Sequence, residues 1–200
     1  MTTTIAEITE LLLQTRALKT GSFKLKDGSY SPFYLDLRVI PSYPSHFEKT
    51  IKWLSNSLKG LHVDAVAGIM SAGIPFATGI SLELGVPLIQ VRKTPKDYGL
   101  SRLLEGEWEQ GWKVAVIDDL ITSGLSKEAA IEALREARLN PIRIQVLIDR
   151  TGKKSLPLVR GVPVNALARI QEILTHGLKH DLFDKEDKGL LETILARMDP

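Results

Sequence analysis

Residues Val114 to Ala130 read VAVIDDLITSGLSKEAA, and this stretch decides the fold. An apolar run, Val114 to Ile117, halts at two adjacent carboxylates, Asp118 and Asp119. A short loop follows with Thr122, Ser123, Gly124 and Ser126, and the spacing beyond it predicts a helix from Ser126 to Ala137. An apolar strand feeding a helix through such a loop is the unit of a parallel α/β sheet, whose ligands bind at the carboxyl ends of the strands. The loop offers backbone N–H groups, hydroxyls and the positive end of a helix dipole, all suited to a phosphate. Two carboxylates just ahead of it repel a phosphate but accept hydrogen bonds from vicinal sugar hydroxyls. In that order the parts fit a ribose 5-phosphate, with sugar on the aspartates and phosphate in the loop. The plainer alternative is that the acids merely end a strand and Ser126 caps the helix. Neither G-x-x-x-x-G-K-[ST] nor G-x-G-x-x-G occurs here, which sets aside the P-loop NTPase and dinucleotide sites.

Outward from this unit the same grammar repeats. DAVAGIM (Asp64 to Met70), PLIQV (Pro87 to Val91), KVAVI (Lys113 to Ile117) and IRIQVLI (Ile142 to Ile148) read as strands. A helix opening around Pro75 and reaching Leu84 follows the first of them. The chain starts differently. Ile5, Ile8, Leu11, Leu12 and Thr15 share one helical face behind threonines that can cap it, and FKLKDGSYSPFYLDLR then alternates, turns at Asp27-Gly28 and alternates again, a hairpin pattern. His46 to Leu58 and Asp184 to Met198 carry helical spacing, and VPVNAL near Val162 suggests a short strand. The expected fold is therefore α/β, a central parallel sheet flanked by helices with a small N-terminal helix–hairpin hood, in one domain over residues 1–200. Between Val91 and Lys113 lies a polar stretch without periodicity, long enough to be a mobile active-site loop.

Composition narrows the chemistry. The chain has no cysteine, which removes disulfides, thiolate metal sites and a cysteine nucleophile. Its formal charge of +2 gives no reason to expect nucleic acid or a membrane surface as partner. No run approaches the ~18 apolar residues of a membrane span. The start, MTTTIAEITELLLQ, carries acids and no basic region before its apolar run, so no signal peptide is expected and the location expected is cytoplasmic. None of the four histidines falls in a motif. His176 and His180 share a helical spacing, but Gly177 between them favours a surface pair over a metal site.

The Val114–Ala130 segment resembles the phosphoribosyl pyrophosphate (PRPP) motif of type I phosphoribosyltransferases. By that resemblance Asp118, Asp119, Leu120, Ile121, Thr122, Ser123, Gly124, Leu125 and Ser126 would bind PRPP, with Thr122 also facing the acceptor base. Two further segments resemble orotate phosphoribosyltransferases in particular. VRKTPKDYGLSRLLEG (Val91 to Gly106) is similar to the family's mobile catalytic loop, with Tyr98 where bacterial members often carry histidine. It implies that Arg92, Lys93, Lys96 and Tyr98 contact the pyrophosphate side of PRPP, Lys96 stabilising the leaving group, and that the loop closes over the neighbouring subunit of a homodimer. The hairpin Phe23 to Arg38 resembles F-x-L-K-S-G-x-x-S-P-x-Y, with Asp27 in place of the usual serine. It implies Lys26 near the pyrophosphate or base, Tyr34 and Leu35 against the orotate ring, and Arg150 as the cation for the orotate carboxylate. The plainer readings are hairpin packing for the aromatics and a surface salt bridge with Asp149 for Arg150.

One departure stands out. Many bacterial members carry Tyr-Lys before the Gly-x-P after the first core strand, whereas this chain has Ser71 and Ala72 there. A cationic contact to PRPP is missing, although Ser71 and nearby N–H groups can still meet pyrophosphate. The implied reaction joins orotate and PRPP to give orotidine 5′-monophosphate and pyrophosphate in pyrimidine (UMP) biosynthesis. It would use Mg²⁺ carried in by PRPP rather than held directly by the protein, with Lys96, Asp118 and Asp119 as catalytic residues. The alternatives are a phosphoribosyltransferase for another base, or a PRPP-sensing regulatory protein of the same fold.

Overall fold

The computed structural model describes residues 3–24, 28, 30–92, 103–153, 156 and 158–198. The chain opens with helix α1 (Ile5–Gln14). Thr4 caps it, its hydroxyl accepting from the Glu7 N–H while the Glu7 carboxylate accepts from the Thr4 N–H, a reciprocal capping box. Strands β1 (Leu18–Lys24) and β2 (Tyr30–Leu35) pair antiparallel as the expected hairpin. A 3₁₀ turn (Leu37–Ser42) leads into α2 (Pro44–Leu58), whose first residue is a proline pre-set for a helix start.

Then the strand–helix alternation begins: β3 (Ala65–Ile69), α3 (Gly73–Leu84), β4 (Leu88–Val91), a short β5 (Leu104–Glu105), β6 (Lys113–Ile121) and α4 (Leu125–Glu136). The chain closes with β7 (Asn140–Asp149), β8 (Leu158–Val159), β9 (Val162–Arg169), α5 (Ile170–Lys179) and α6 (Lys185–Met198). The sheet order is β5-β4-β3-β6-β7-β9-β8. The five inner strands run parallel, as expected, while the edges β5 and β8 are antiparallel. Two-residue antiparallel edges leave little open backbone for unwanted pairing.

Side-chain alternation splits the core into two layers. Val66, Ala115 and Ile117 face the cluster built by α1, α2, α3, α5 and the hairpin. Ala65, Ala67, Val114, Val116 and Val146 face the cluster that α4 covers. The hood docks through α1 on α5 and through α6 on β2. Phe33 and Leu35 of the hairpin belong to the first cluster.

Candidate active site

The carboxyl ends of the parallel strands share one edge of the sheet, and Asp118, Asp119, the Thr122–Ser126 segment and Arg150 lie there. β6 does not stop before its acids. It continues through Asp118 and Asp119 to Ile121, because β7 goes on pairing beside it, Asp118 with Val146 and Leu120 with Ile148. The acid pair is thus built into the strand, and its two side chains are buried to different degrees. Asp118 is buried beside the first turn of α4. There Lys127, also buried, donates from Nζ to Asp118 Oδ2 at 2.6 Å and to the Leu120 carbonyl at 2.6 Å. The other Asp118 oxygen accepts the Asp119 N–H at 3.0 Å.

Asp119 stays half-buried. Burial first, and the neighbouring Asp118 charge second, push its carboxyl up to about 6, against the weaker pull of the Leu120 N–H and Lys127. That N–H donates to Asp119 Oδ1 at 2.8 Å. A second cation stands near Asp119: Arg38, clamped bidentately by Asp36 at 2.6 and 3.0 Å, feels the fields of Tyr34 and Asp119 as well.

The loop after β6 presents Thr122 and Ser123 to solvent. Gly124, at φ 86°, is the N-cap of α4 and takes a left-handed conformation that a side chain disfavours. No side chain caps this helix, so Ser126 lies in the first turn rather than capping it. An uncapped helix start beside exposed hydroxyls is a place for an anion. Leu125, at 70% exposure, rims the same loop.

Close approach of α3 completes the strand end. A Cβ on Gly73 would lie 2.5 Å from the Ile117 carbonyl oxygen and 3.1 Å from Asp118 Cα, so only glycine fits. Just ahead of it, Ser71 is exposed and follows a cis Met70–Ser71 peptide. At the end of β4, Arg92 pairs with Glu105 across β5 at 2.6 Å.

On the other side, Arg150 leaves β7 next to the loop, its N–H donating to the Ile121 carbonyl at 2.8 Å. Its guanidinium lies over the Phe33 ring at 5.3 Å, and burial lowers its pKa from the ordinary arginine value. Asp149 pairs elsewhere: Oδ1 accepts the Thr151 N–H at 2.7 Å, and Oδ2 lies 3.9 Å from Arg169 Nε. Tyr34 is exposed and stacks on Phe23 with ring centroids 5.6 Å apart, while the Leu35 side chain is taken up by the core. Lys26, Lys93, Lys96 and Tyr98 lie outside the described residues.

Two side chains here were not picked out from sequence. Lys127 sits in a polar run, SGLSKEAA, that reads as a solvated helix start; its place on the inward face of α4 was the available signal. Arg38 closes the hairpin segment, and its pairing to Asp36 two residues back was legible in principle. The His176 ring near the end of α5 meets that of His180, its C-cap, at 4.3 Å, and among the described residues no cluster of three or more His, Asp or Glu forms a metal site. Among them, too, no helix is long and apolar enough to cross a membrane.

The fold and this strand-end site define a phosphoribosyltransferase, and residues 40–161 match the family model described as "phosphoribosyl transferase domain". Orotate phosphoribosyltransferase from Sulfolobus acidocaldarius is 32% identical over 96% of this chain and 97% of its own length. The enzyme of the same name from Staphylothermus marinus is 36% identical over 96% of this chain and 95% of its own length. The chain belongs to the orotate phosphoribosyltransferase family. Among solved structures, orotate phosphoribosyltransferase from Aeropyrum pernix superposes with a TM-score of 0.73 at 28% identity, covering 88% of this chain and 99% of that one. UMP synthase from Leishmania donovani superposes with a TM-score of 0.82 at 30% identity, over 98% of this chain, which spans 43% of that larger protein.

Proposed function

We propose that this chain transfers the 5-phosphoribosyl group of PRPP to orotate, releasing pyrophosphate and forming orotidine 5′-monophosphate for UMP synthesis. One observation carries the reading beyond membership of the family. The acid pair and anion loop at the end of β6 stand directly beside Arg150 at the end of β7, tied by the 2.8 Å bond from the Arg150 N–H to Ile121. A sugar phosphate and an anionic base therefore have adjoining receptors.

The 5′-phosphate takes the Thr122–Ser126 loop, where hydroxyls and N–H groups converge on the positive end of α4. The ribose hydroxyls meet the acid pair. The orotate carboxylate pairs with Arg150, which Phe33 holds in place, and the ring lies toward the exposed Tyr34. Pyrophosphate leaves toward Ser71, Arg92 and the 93–102 segment, with Lys26, Lys93, Lys96 and Tyr98 around it and Lys96 stabilising the developing charge. Catalysis by positioning and charge stabilisation suits an oxocarbenium-like displacement that needs no covalent enzyme intermediate. The donor set agrees with a metal that arrives with substrate, since Asp118 is committed to Lys127 and Asp119 offers oxygen alone. When bound with PRPP, Mg²⁺ supplies charge neutralisation at the pyrophosphate. The active form is a cytoplasmic homodimer in which the segment that carries Lys93, Lys96 and Tyr98 serves the neighbouring subunit's site.

The test is a panel of acceptors, with orotate, uracil, adenine and hypoxanthine each offered with PRPP and Mg²⁺ and pyrophosphate release measured. Release with orotate alone supports the reading. Release with a purine instead, or PRPP binding without release for any base, overturns it.

A further inference from the structure

We propose that Asp149 and Arg169 are a positioning pair that keeps Arg150 aimed and unpaired for the anionic base. Asp149 holds the turn that carries Arg150 out of the sheet, and Arg169 takes up the Asp149 charge. The proposal rests on reading Arg150 as the partner of the orotate carboxylate. By sequence the simplest partner for Asp149 is its own neighbour Arg150, and the structure gives it a different one.

Three strand ends meet at Asp149. It is the last residue of β7, in register with Ile121 at the end of β6 and with Arg169 at the end of β9. Pairing carries one residue further, as the Arg150 N–H donates to the Ile121 carbonyl at 2.8 Å. The chain then turns, and the Thr151 N–H donates back to Asp149 Oδ1 at 2.7 Å. An aspartate that accepts from the N–H two residues ahead closes a turn around the residue between them. That residue is Arg150, so Asp149 sets the direction in which its side chain leaves the sheet.

The Asp149 side chain is 1% exposed, and a carboxylate buried without a countercharge is costly. Its Oδ2 has no hydrogen-bond partner among the described residues, and Arg169 Nε stands 3.9 Å away as the cation that answers it. Arg169 is anchored there as the N-cap of α5, its N–H donating to Glu172 Oε2 at 2.8 Å. Arg150 is left with no carboxylate partner among the described residues. Its guanidinium lies over the Phe33 ring, and burial alone lowers its pKa. Without Arg169, the cation next in the chain to the stranded carboxylate is Arg150 itself. Orotate would then have to displace an internal ion pair before its own carboxylate could bind. Arg169 removes that competition. Both members of the pair act through Arg150 and touch no substrate.

The experiment is steady-state kinetics with orotate and PRPP varied in turn, beside thermal denaturation. It uses wild type, Asp149→Asn, Asp149→Ala, Arg169→Met and Asp149→Asn/Arg169→Met. Arg169→Met strands the buried charge and should raise KM for orotate roughly tenfold or more, with KM for PRPP moving less than about threefold. The double variant removes both charges and should return KM for orotate to within about threefold of wild type. Asp149→Asn keeps an oxygen for the Thr151 N–H and should stay within the same range. Asp149→Ala loses the turn and should raise KM for orotate roughly tenfold. A merely structural defect would lower Tm and move both KM values together. Arg169→Met with the wild-type KM for orotate overturns the proposal, and so does a double variant no better than Arg169→Met. Should Arg169→Met fail to fold, equal KM values for orotate in Asp149→Asn and Asp149→Ala overturn it instead. A wild type that leaves orotate unconsumed overturns the reading of the site and the proposal with it. Loss of the expected pattern beside an active wild type overturns the proposal alone.

Discussion

Replacing Asp119 by asparagine should make the protein more stable at neutral pH and worse at binding its substrate. The carboxyl sits at about 6 in the folded chain against 3.8 for the ordinary group, chiefly through burial and the adjacent Asp118. A raised acid binds its proton more tightly folded than unfolded, so between those two values the folded state holds more protons. Stability then falls as pH rises from about 4 to about 6, and the loss is complete above that window. The gap is roughly two pH units, worth about 2–3 kcal/mol at ~1.4 kcal/mol per unit. Asparagine keeps the oxygen that accepts the Leu120 N–H and carries no charge, so it escapes the penalty. The expected result is a Tm gain of roughly 4–12 °C at pH 8, taking ~2–4 °C per kcal/mol. At pH 4 the gain should vanish, because wild type is then protonated. Thermal scans by circular dichroism at both pH values decide it. A gain of equal size at pH 4, or no gain at pH 8, would refute the reasoning, since either means that the ionised carboxylate is not what costs stability.

Three further outcomes follow from the geometry. Gly73→Ala places a Cβ 2.5 Å from a backbone carbonyl oxygen that cannot swing away, so α3 must move off β6; we expect a loss of about 1–3 kcal/mol in denaturant titration together with weaker PRPP binding. Arg150→Gln leaves the fold intact and removes the cation over Phe33, so KM for orotate should rise at least tenfold while KM for PRPP moves less than threefold in steady-state kinetics. Thr4→Ala breaks the capping box of α1 and should cost about 1 kcal/mol of stability, read as a lower denaturation midpoint, with kcat unchanged because the cap lies in the hood away from the strand ends.

The inner strands and their helices were legible because buried parallel strands are apolar runs and their covering helices keep a 3.6-residue period. The end of β6 was misplaced for a physical reason. Aspartates disfavour strands, but Val146 and Ile148 of β7 carry the pairing past them. The edges β5 and β8, two residues each, exist only through their partners and leave no pattern of their own. Helix α5 carries a fainter signal in Ile170, Ile173, Leu174 and Gly177, spaced as one helical face but interrupted by polar residues and a glycine. At the site, the acids and the loop came from motif order, and Arg150 from the family resemblance. The partners that fix them did not, because Lys127 on Asp118, Glu105 on Arg92 and Phe33 under Arg150 are tertiary facts. Leu35 shows the converse: its motif neighbour Tyr34 faces out, and strand alternation turns Leu35 into the core.

The most direct test of phosphoribosyl transfer to orotate is orotate consumption followed by ultraviolet absorbance with PRPP and Mg²⁺, wild type beside Lys96→Ala. The account predicts turnover by wild type that depends on both additions and collapses in the variant. A folded wild type that binds PRPP and leaves orotate unconsumed would contradict it.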